Sequence, residues 1–216
     1  MTSRAMVVVG GGSSSRFGTD KLMVEVAGRP VLSHTIGAVI SHVDVCVVVC
    51  RPEIVETVSR LHPEVLVAEG GPTRTHSEMA GLAAIEGEVS LVGIHDAARP
   101  VVDAATIDRL FTTAESDGGA VPLLGYERMI LHRETGRPLK GIHGAQTPQV
   151  FRASELFAAY RLAASEGFEG HDTVEVMERF SDVRIVAVAG SASNIKVTFP
   201  SDVDRLSDLL TDPSRI

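Results

Sequence analysis

A chain of 216 residues with 44% hydrophobic and 22% charged residues is long enough to bury a core and too apolar to stay disordered. Its formal net charge of −8 and sequence pI near 5.5 argue against a nucleic-acid partner, because the whole-molecule field repels a phosphate backbone, so a phosphate ligand must be held by local charge. The longest apolar run, residues 45–50, is far too short for a membrane span, and Met1 to Met6 lacks a hydrophobic stretch of signal-peptide length, so a cytoplasmic protein with no membrane partner is expected.

Met6 to Val9 read as a fully buried strand, and the chain sheds its side chains at Gly10, Gly11 and Gly12, where the first strand of an α/β sheet ends and such sheets bind ligands. Glycines allow a sharp turn and a close approach to an anion, backbone N–H groups can donate to phosphate oxygens, and Arg16 and Lys21 add positive charge. The stretch reads as a polyphosphate cradle, with a plain flexible loop as the alternative; it matches neither the Walker pattern nor a clean G-x-G-x-x-G fingerprint. An Arg16–Asp20 ion pair is a second bland reading of Arg16.

Downstream, 27–30 is a turn and Val31 opens a helix running to about Ser41. Val43 to Cys50 is a second buried strand; Cys46 and Cys50 share a face about 13 Å apart, too far for a disulfide, and read as buried free thiols. Pro52 to Leu61 is a helix with proline near its start, and Val65 to Ala68 a short strand. A second glycine loop, Glu69-Gly70-Gly71-Pro72-Thr73-Arg74-Thr75-His76-Ser77, could close over the first and leads into a helix over Glu78–Ile85.

Val89 to Ile94 is an apolar strand that ends abruptly in His95-Asp96-Ala97-Ala98-Arg99-Pro100, a position where α/β enzymes place chemistry. A helix over Thr106–Glu115, a turn at 117–119 and a strand over Ala120–Leu124 follow. Gly125 to Gly144 has no helical stripe and reads as a projecting hairpin. Helices are expected near Ala153–Ser165 and Asp172–Arg179, a strand over Val183–Ala189, and a helix over Val203–Leu210 with an N-cap signal at Ser201-Asp202. The alternation predicts a single α/β unit spanning 1–216, with a mainly parallel sheet covered on both faces. His34, His76, His143 and His171 show no metal-ligand spacing among themselves, and no metal-ligating residues are expected; His95 reads as structural, fixing its loop.

Four loops at predicted strand ends together resemble one family. His95-Asp-Ala-Ala-Arg-Pro100, Ala145-Gln-Thr-Pro-Gln149 and Asn194-Ile-Lys-Val-Thr198, in this order after the glycine loop, are similar to the motifs of the 2-C-methyl-D-erythritol 4-phosphate cytidylyltransferases, nucleotidyltransferases with a Rossmann-like sheet. The resemblance implies transfer of CMP from CTP to a sugar-alcohol phosphate with release of pyrophosphate, magnesium on the triphosphate, and a homodimer formed through the 125–144 arm. It also implies roles: Gly10, Gly11 and Gly12 wrapping the nucleotide; Arg16 and Lys21 on the triphosphate; and Lys196 stabilising charge at the α-phosphorus. Gly71, Ser77 and Ala97 would line the nucleotide pocket, and Asp96, Arg99, Lys140 and Thr147 would bind the acceptor.

Three positions depart from the family pattern. Lys21 follows Arg16 by five residues with Asp20 between, a spacing similar to molybdenum-cofactor guanylyltransferases; Gly125-Tyr126 replaces an Asp-Thr pair; and Leu139 occupies the place of an acceptor-binding arginine, with Lys140 beside it as a substitute point charge. His171 likewise stands where the family has a threonine. Methylerythritol phosphate is the first-choice acceptor. Ribitol 5-phosphate or another polyol phosphate, a non-catalytic CTP-binding homologue, and transfer of GMP or another nucleotide to a different acceptor are the competing readings.

Overall fold

A computed structural model describes residues 2–11, 17–18, 20–125, 130–131, 133–134, 137–139 and 141–212. Apart from the short antiparallel pair β2 (Glu25–Val26) and β3 (Arg29–Pro30), the first strands form one sheet: the parallel strands β1 (Arg4–Val9), β4 (Val45–Cys50), β5 (Leu66–Glu69) and β6 (Leu91–Asp96) are apolar runs because both faces of the sheet are covered. Successive residues of β1 point to opposite sides: Met6 and Val8 join one apolar cluster, Ala5 and Val7 the other. Helices α1 (Val31–Val39), α2 (Pro52–Leu61), α4 (Ala104–Asp117) and α7 (Asp202–Thr211) contribute to the first cluster. Helices α3 (Arg74–Ala83), α5 (Ala153–Glu166) and α6 (Thr173–Phe180) contribute to the second. Cys46 and Cys50 lie in the first as free thiols, and burial pushes them up to about 12 and about 11.

The expected mainly parallel sheet is present, with one insertion. Strand β7 (Gly118–Gly125) carries the chain toward the end of the sheet where β1, β4 and β6 also finish. After β8 (Ile130–Leu131) and β9 (Pro138–Leu139), which pair with each other, β10 (His143–Ala145) returns along β7. Strand β11 (Gln149–Arg152) then runs antiparallel between β6 and β7, and β12 (Arg184–Ala189) lies parallel to β7. Because β11 runs backward, its entry at Gln146–Pro148 sits where its parallel neighbours end. This reversal brings Thr147 to Asp96.

Three boundaries differ from expectation for physical reasons. Helix α3 begins at Arg74, not Glu78: Thr73 caps it, its side chain accepting from the His76 N–H at 3.4 Å, and the polar Thr75, Ser77 and Glu78 that hide the apolar stripe are themselves buried. The expected turn at 117–119 is already strand from Gly118, where a side chain at Gly119 would meet the Phe151 ring at 2.7 Å. Ser201 makes no cap bond; the Asp202 carboxylate instead accepts the Thr198 and Phe199 N–H groups, both at 2.8 Å.

Helix α3 approaches the sheet so closely that only glycine fits at position 81. A Cβ at Gly81 would lie 2.2 Å from Val7 Cγ1 and 2.7 Å from Val49 Cγ2. Gly81→Ala is therefore expected to lose about 2 kcal/mol or more despite the better helix propensity of alanine, read as a lower urea midpoint at unchanged slope. A midpoint at or above wild type would show that α3 and β1 are not packed this tightly.

Candidate active site

The ends of the parallel strands are tied into one rim. Gly10 N–H donates to Val49 O (2.7 Å), Gly70 N–H to Cys50 O (2.8 Å), and Ala97 N–H to Val9 O (2.9 Å). The two glycine loops touch, as the sequence anticipated: a Cβ at Gly70 would lie 2.9 Å from Gly11 Cα, and one at Gly11 only 2.5 Å from Ser77 Oγ. Side chains here would force the loops apart. Ser77 is buried beneath them, accepting the Gly71 N–H at 3.1 Å and donating to Thr73 O at 3.0 Å. Ala97, also buried, sits beside Gly10 at the end of β6.

At the centre of the rim, Asp96 gathers three cations. Its Oδ1 accepts Arg74 Nη1 at 2.6 Å, and its Oδ2 accepts Lys196 Nζ at 2.9 Å and Arg99 Nε at 3.1 Å. Burial alone would raise its pKa, but Arg74, Lys196 and Arg99 together hold the carboxyl well below the usual range. Arg99 also donates to Asn194 O (2.8 Å), and Arg74 to the fully buried Glu78 (2.8 Å). Lys196 is the most exposed of the three side chains, at 38% against 22% for Arg74 and 12% for Arg99, and so is the cation best placed to leave Asp96 for a ligand.

Beneath Asp96 runs a closed chain of donors and acceptors. The Asp96 N–H donates to Thr147 Oγ (2.9 Å), the Thr147 hydroxyl to His95 Nδ1 (2.9 Å), and His95 Nε2–H to the Arg99 carbonyl (3.0 Å). His95, in β6 and not in the expected loop, thus ties the strand end to the turn at Arg99, and burial lowers its pKa to about 4, keeping the ring neutral. Thr147 has its one hydroxyl proton committed to His95, so here it supports the end of β6 that carries Asp96. The third loop is held by Asn194, whose amide donates to Thr147 O, by Gln146, which donates to Ser191 O and Asn194 O, and by the Val197 N–H donating to Ala98 O. Lys21 reaches the same loop, its Nζ 3.0 Å from Val197 O.

Of the residues singled out from sequence, Gly10, Gly11, Gly71, Ser77, Ala97, Asp96, Arg99, Thr147, Lys21 and Lys196 come together on this rim; Arg16, Gly12 and Lys140 lie outside the described residues. Asp20, the other partner considered for Arg16, has its Oδ2 accepting Arg51 Nη2 at 2.6 Å. Sequence reasoning did not single out Arg74 with Glu78 and the Tyr160 hydroxyl that donates to Glu78 at 2.5 Å, nor Gln146 and Asn194. The only signals for Arg74 were its place as the basic residue of the second glycine loop and its i,i+4 spacing to Glu78.

Comparison with known proteins gives a consistent result. Residues 4–211 match the sequence pattern of 2-C-methyl-D-erythritol 4-phosphate cytidylyltransferase. The chain is 33% identical over 207 residues to the protein of that name from Bacillus velezensis, covering 90% of this chain and 89% of the relative. It is also 33% identical over 202 residues to the one from Acidobacterium capsulatum, covering 85% and 84%. The crystal structure of 2-C-methyl-D-erythritol 4-phosphate cytidylyltransferase from Thermus thermophilus superposes with a TM-score of 0.80 at 26% identity, over 98% of this chain and all of that one.

Two outcomes follow from the geometry. Arg74→Met leaves Glu78 buried without its cation and removes one of the three on Asp96; breaking a buried pair typically costs about 3–5 kcal/mol, so a marked drop in the urea midpoint is expected, and an unchanged midpoint would show that Arg74 is not structural. His95 titrates near 6.5 when unfolded but near 4 when folded, so the unfolded chain binds the extra proton between these values. Stability should accordingly rise with pH across that window, by at most about 1.4 kcal/mol per pH unit, and fall on acidification. Urea titrations at several pH values check this, and His95→Gln should flatten the component; an unaltered slope would assign it to another group.

Proposed function

The chain belongs to the 2-C-methyl-D-erythritol 4-phosphate cytidylyltransferase family, and on that premise we propose the reaction it runs: CMP is transferred from CTP to 2-C-methyl-D-erythritol 4-phosphate, with release of pyrophosphate, as a step of isoprenoid precursor synthesis. The observation that carries this reading is the cationic cluster around Asp96 on the rim shared with the glycine loops, within a chain matched over nearly its whole length. These matches do not favour ribitol 5-phosphate or a non-catalytic homologue.

In this reading an acceptor phosphate oxygen attacks the α-phosphorus of CTP in line, the new P–O bond forms as the bond to the β-phosphate oxygen breaks, and pyrophosphate leaves. The phosphate is already an anionic nucleophile, so the protein's task is positioning and charge neutralisation. Gly10, Gly11, Gly12, Gly71, Ser77 and Ala97 form the nucleotide pocket, with the buried hydroxyl of Ser77 shaping it. Arg16 and Lys21 take the triphosphate, and Lys196 leaves Asp96 to meet charge developing at the α-phosphorus. Arg99, Lys140 and Thr147 belong to the acceptor side, Thr147 by holding the strand end at Asp96. Arg74 and Arg99 keep Asp96 compensated when Lys196 moves.

Among the described residues no three His, Cys, Asp or Glu side chains group to hold a metal, and Asp96 is occupied by cations. In this reading a magnesium ion would arrive on the triphosphate as part of the substrate and would offset its charge. The segment 125–144 is the dimerisation arm of this reading; β8 and β9 pair with each other and with no other described strand. Among the described residues no helix is long and apolar enough to cross a membrane.

Incubation with CTP, magnesium and 2-C-methyl-D-erythritol 4-phosphate should release pyrophosphate, with GTP and ribitol 5-phosphate as poorer partners in parallel reactions. Lys196→Ala should lower kcat by about 100-fold or more. Absence of pyrophosphate with every acceptor would sink the reading, and full activity in Lys196→Ala would remove that lysine from the chemistry.

A further inference from the structure

Arg51 stands where β4 ends and α2 begins, in extended conformation at the helix N-terminus with Pro52 behind it and its carbonyl accepting the Ile54 N–H at 3.1 Å. The two residues before it bind the glycine loops, Val49 through Gly10 and Cys50 through Gly70. Its guanidinium reaches across to Asp20, Nη2 to Oδ2 at 2.6 Å, with both side chains mostly covered. The other oxygen of Asp20 accepts the Leu22 N–H at 3.2 Å, and its carbonyl accepts the Met23 N–H at 3.1 Å, so the carboxylate and its own backbone together shape the turn that presents Lys21. Leu22 is buried against Gly10 and anchors the far side. Lys21 emerges between these anchors toward the carbonyl of Val197, the residue that follows Lys196 in the chain.

We propose that the Asp20–Arg51 pair is a strut that positions Lys21, coupling the end of β4 to the cation that receives the triphosphate. Arg51 and Asp20 are positioning residues that act through Lys21 without touching the nucleotide, an inference that rests on the cytidylyltransferase reading. The physical logic is entropic. A lysine on an untethered turn must be ordered when the polyanion binds, whereas a turn held by a charge-assisted bond has met that cost on folding.

The test measures CTP binding by calorimetry and pyrophosphate release for Arg51→Met, Asp20→Asn, the double variant, and Arg51→Met in a Lys21→Ala background. Each single variant should weaken CTP binding and lower kcat/KM about tenfold, equivalent to about 1.4 kcal/mol. The double variant should be no worse than the poorer single, Arg51→Lys should recover part of the loss, and Arg51→Met should add less than about twofold once Lys21 is gone. Losses that multiply in the double variant, or that persist in the Lys21→Ala background, overturn the strut. So does an Asp20→Asn protein that keeps wild-type CTP affinity while Arg51→Met does not, because Arg51 would then touch the nucleotide directly. Wild-type protein that binds CTP without releasing pyrophosphate would defeat the reaction assigned above, yet the binding comparisons would still decide the strut.

Discussion

A single buried carboxylate organises this site. Removing Asp96 from water costs several kcal/mol unless opposite charge is supplied nearby, and it is supplied from three separate stretches of chain: Arg74 from α3, Arg99 from the turn after β6, and Lys196 from the loop after β12. Forming the pocket therefore requires those segments to converge. The same charges that make Asp96 tolerable create a concentrated positive patch in a protein of net charge −8, a local field a triphosphate can use.

The cluster is asymmetric in a way that suits transfer chemistry. Arg74 and Arg99 have second anchors, Glu78 and the Asn194 carbonyl, and are held in place; Lys196 is the exposed member. A cation that can exchange a carboxylate for a phosphate, while two others hold the carboxylate in balance, changes partner without leaving a buried charge exposed to low dielectric. Beneath it, the neutral His95 and the Thr147 hydroxyl form a rigid floor that carries no net charge. The floor fixes geometry and the cations supply field.

The rim depends on backbone closeness as much as on charge. Gly10, Gly11, Gly70 and Gly71 let two loops meet with less space between them than one side chain needs, and the N–H groups of Gly10, Gly70 and Gly71 are held by the carbonyls of β4 or by Ser77. Strand β4, whose own side chains are ordinary core, thus acts as the bar to which the two glycine loops are fastened. A reversed strand, β11, completes the arrangement by starting at the rim.

Local signals determined much of this protein. Runs such as Val45–Cys50 declare buried strands through their apolar continuity, Asp103 and Asp172 cap helices through short-range bonds to Thr106 and Glu175, and the Gly10 and His95 stretches mark where strands end. Four motifs in order declared the family. What the chain could not reveal from neighbours in sequence was which partners its charges would choose. Arg74 joins Asp96 across 22 residues, Thr147 joins His95 across 52, and Arg51 joins Asp20 across 31. Capping and burial patterns act over one or two turns of chain and can be read there. Ion pairs between strand ends depend on sheet order and on the antiparallel entry of β11, so only the tertiary structure decided them.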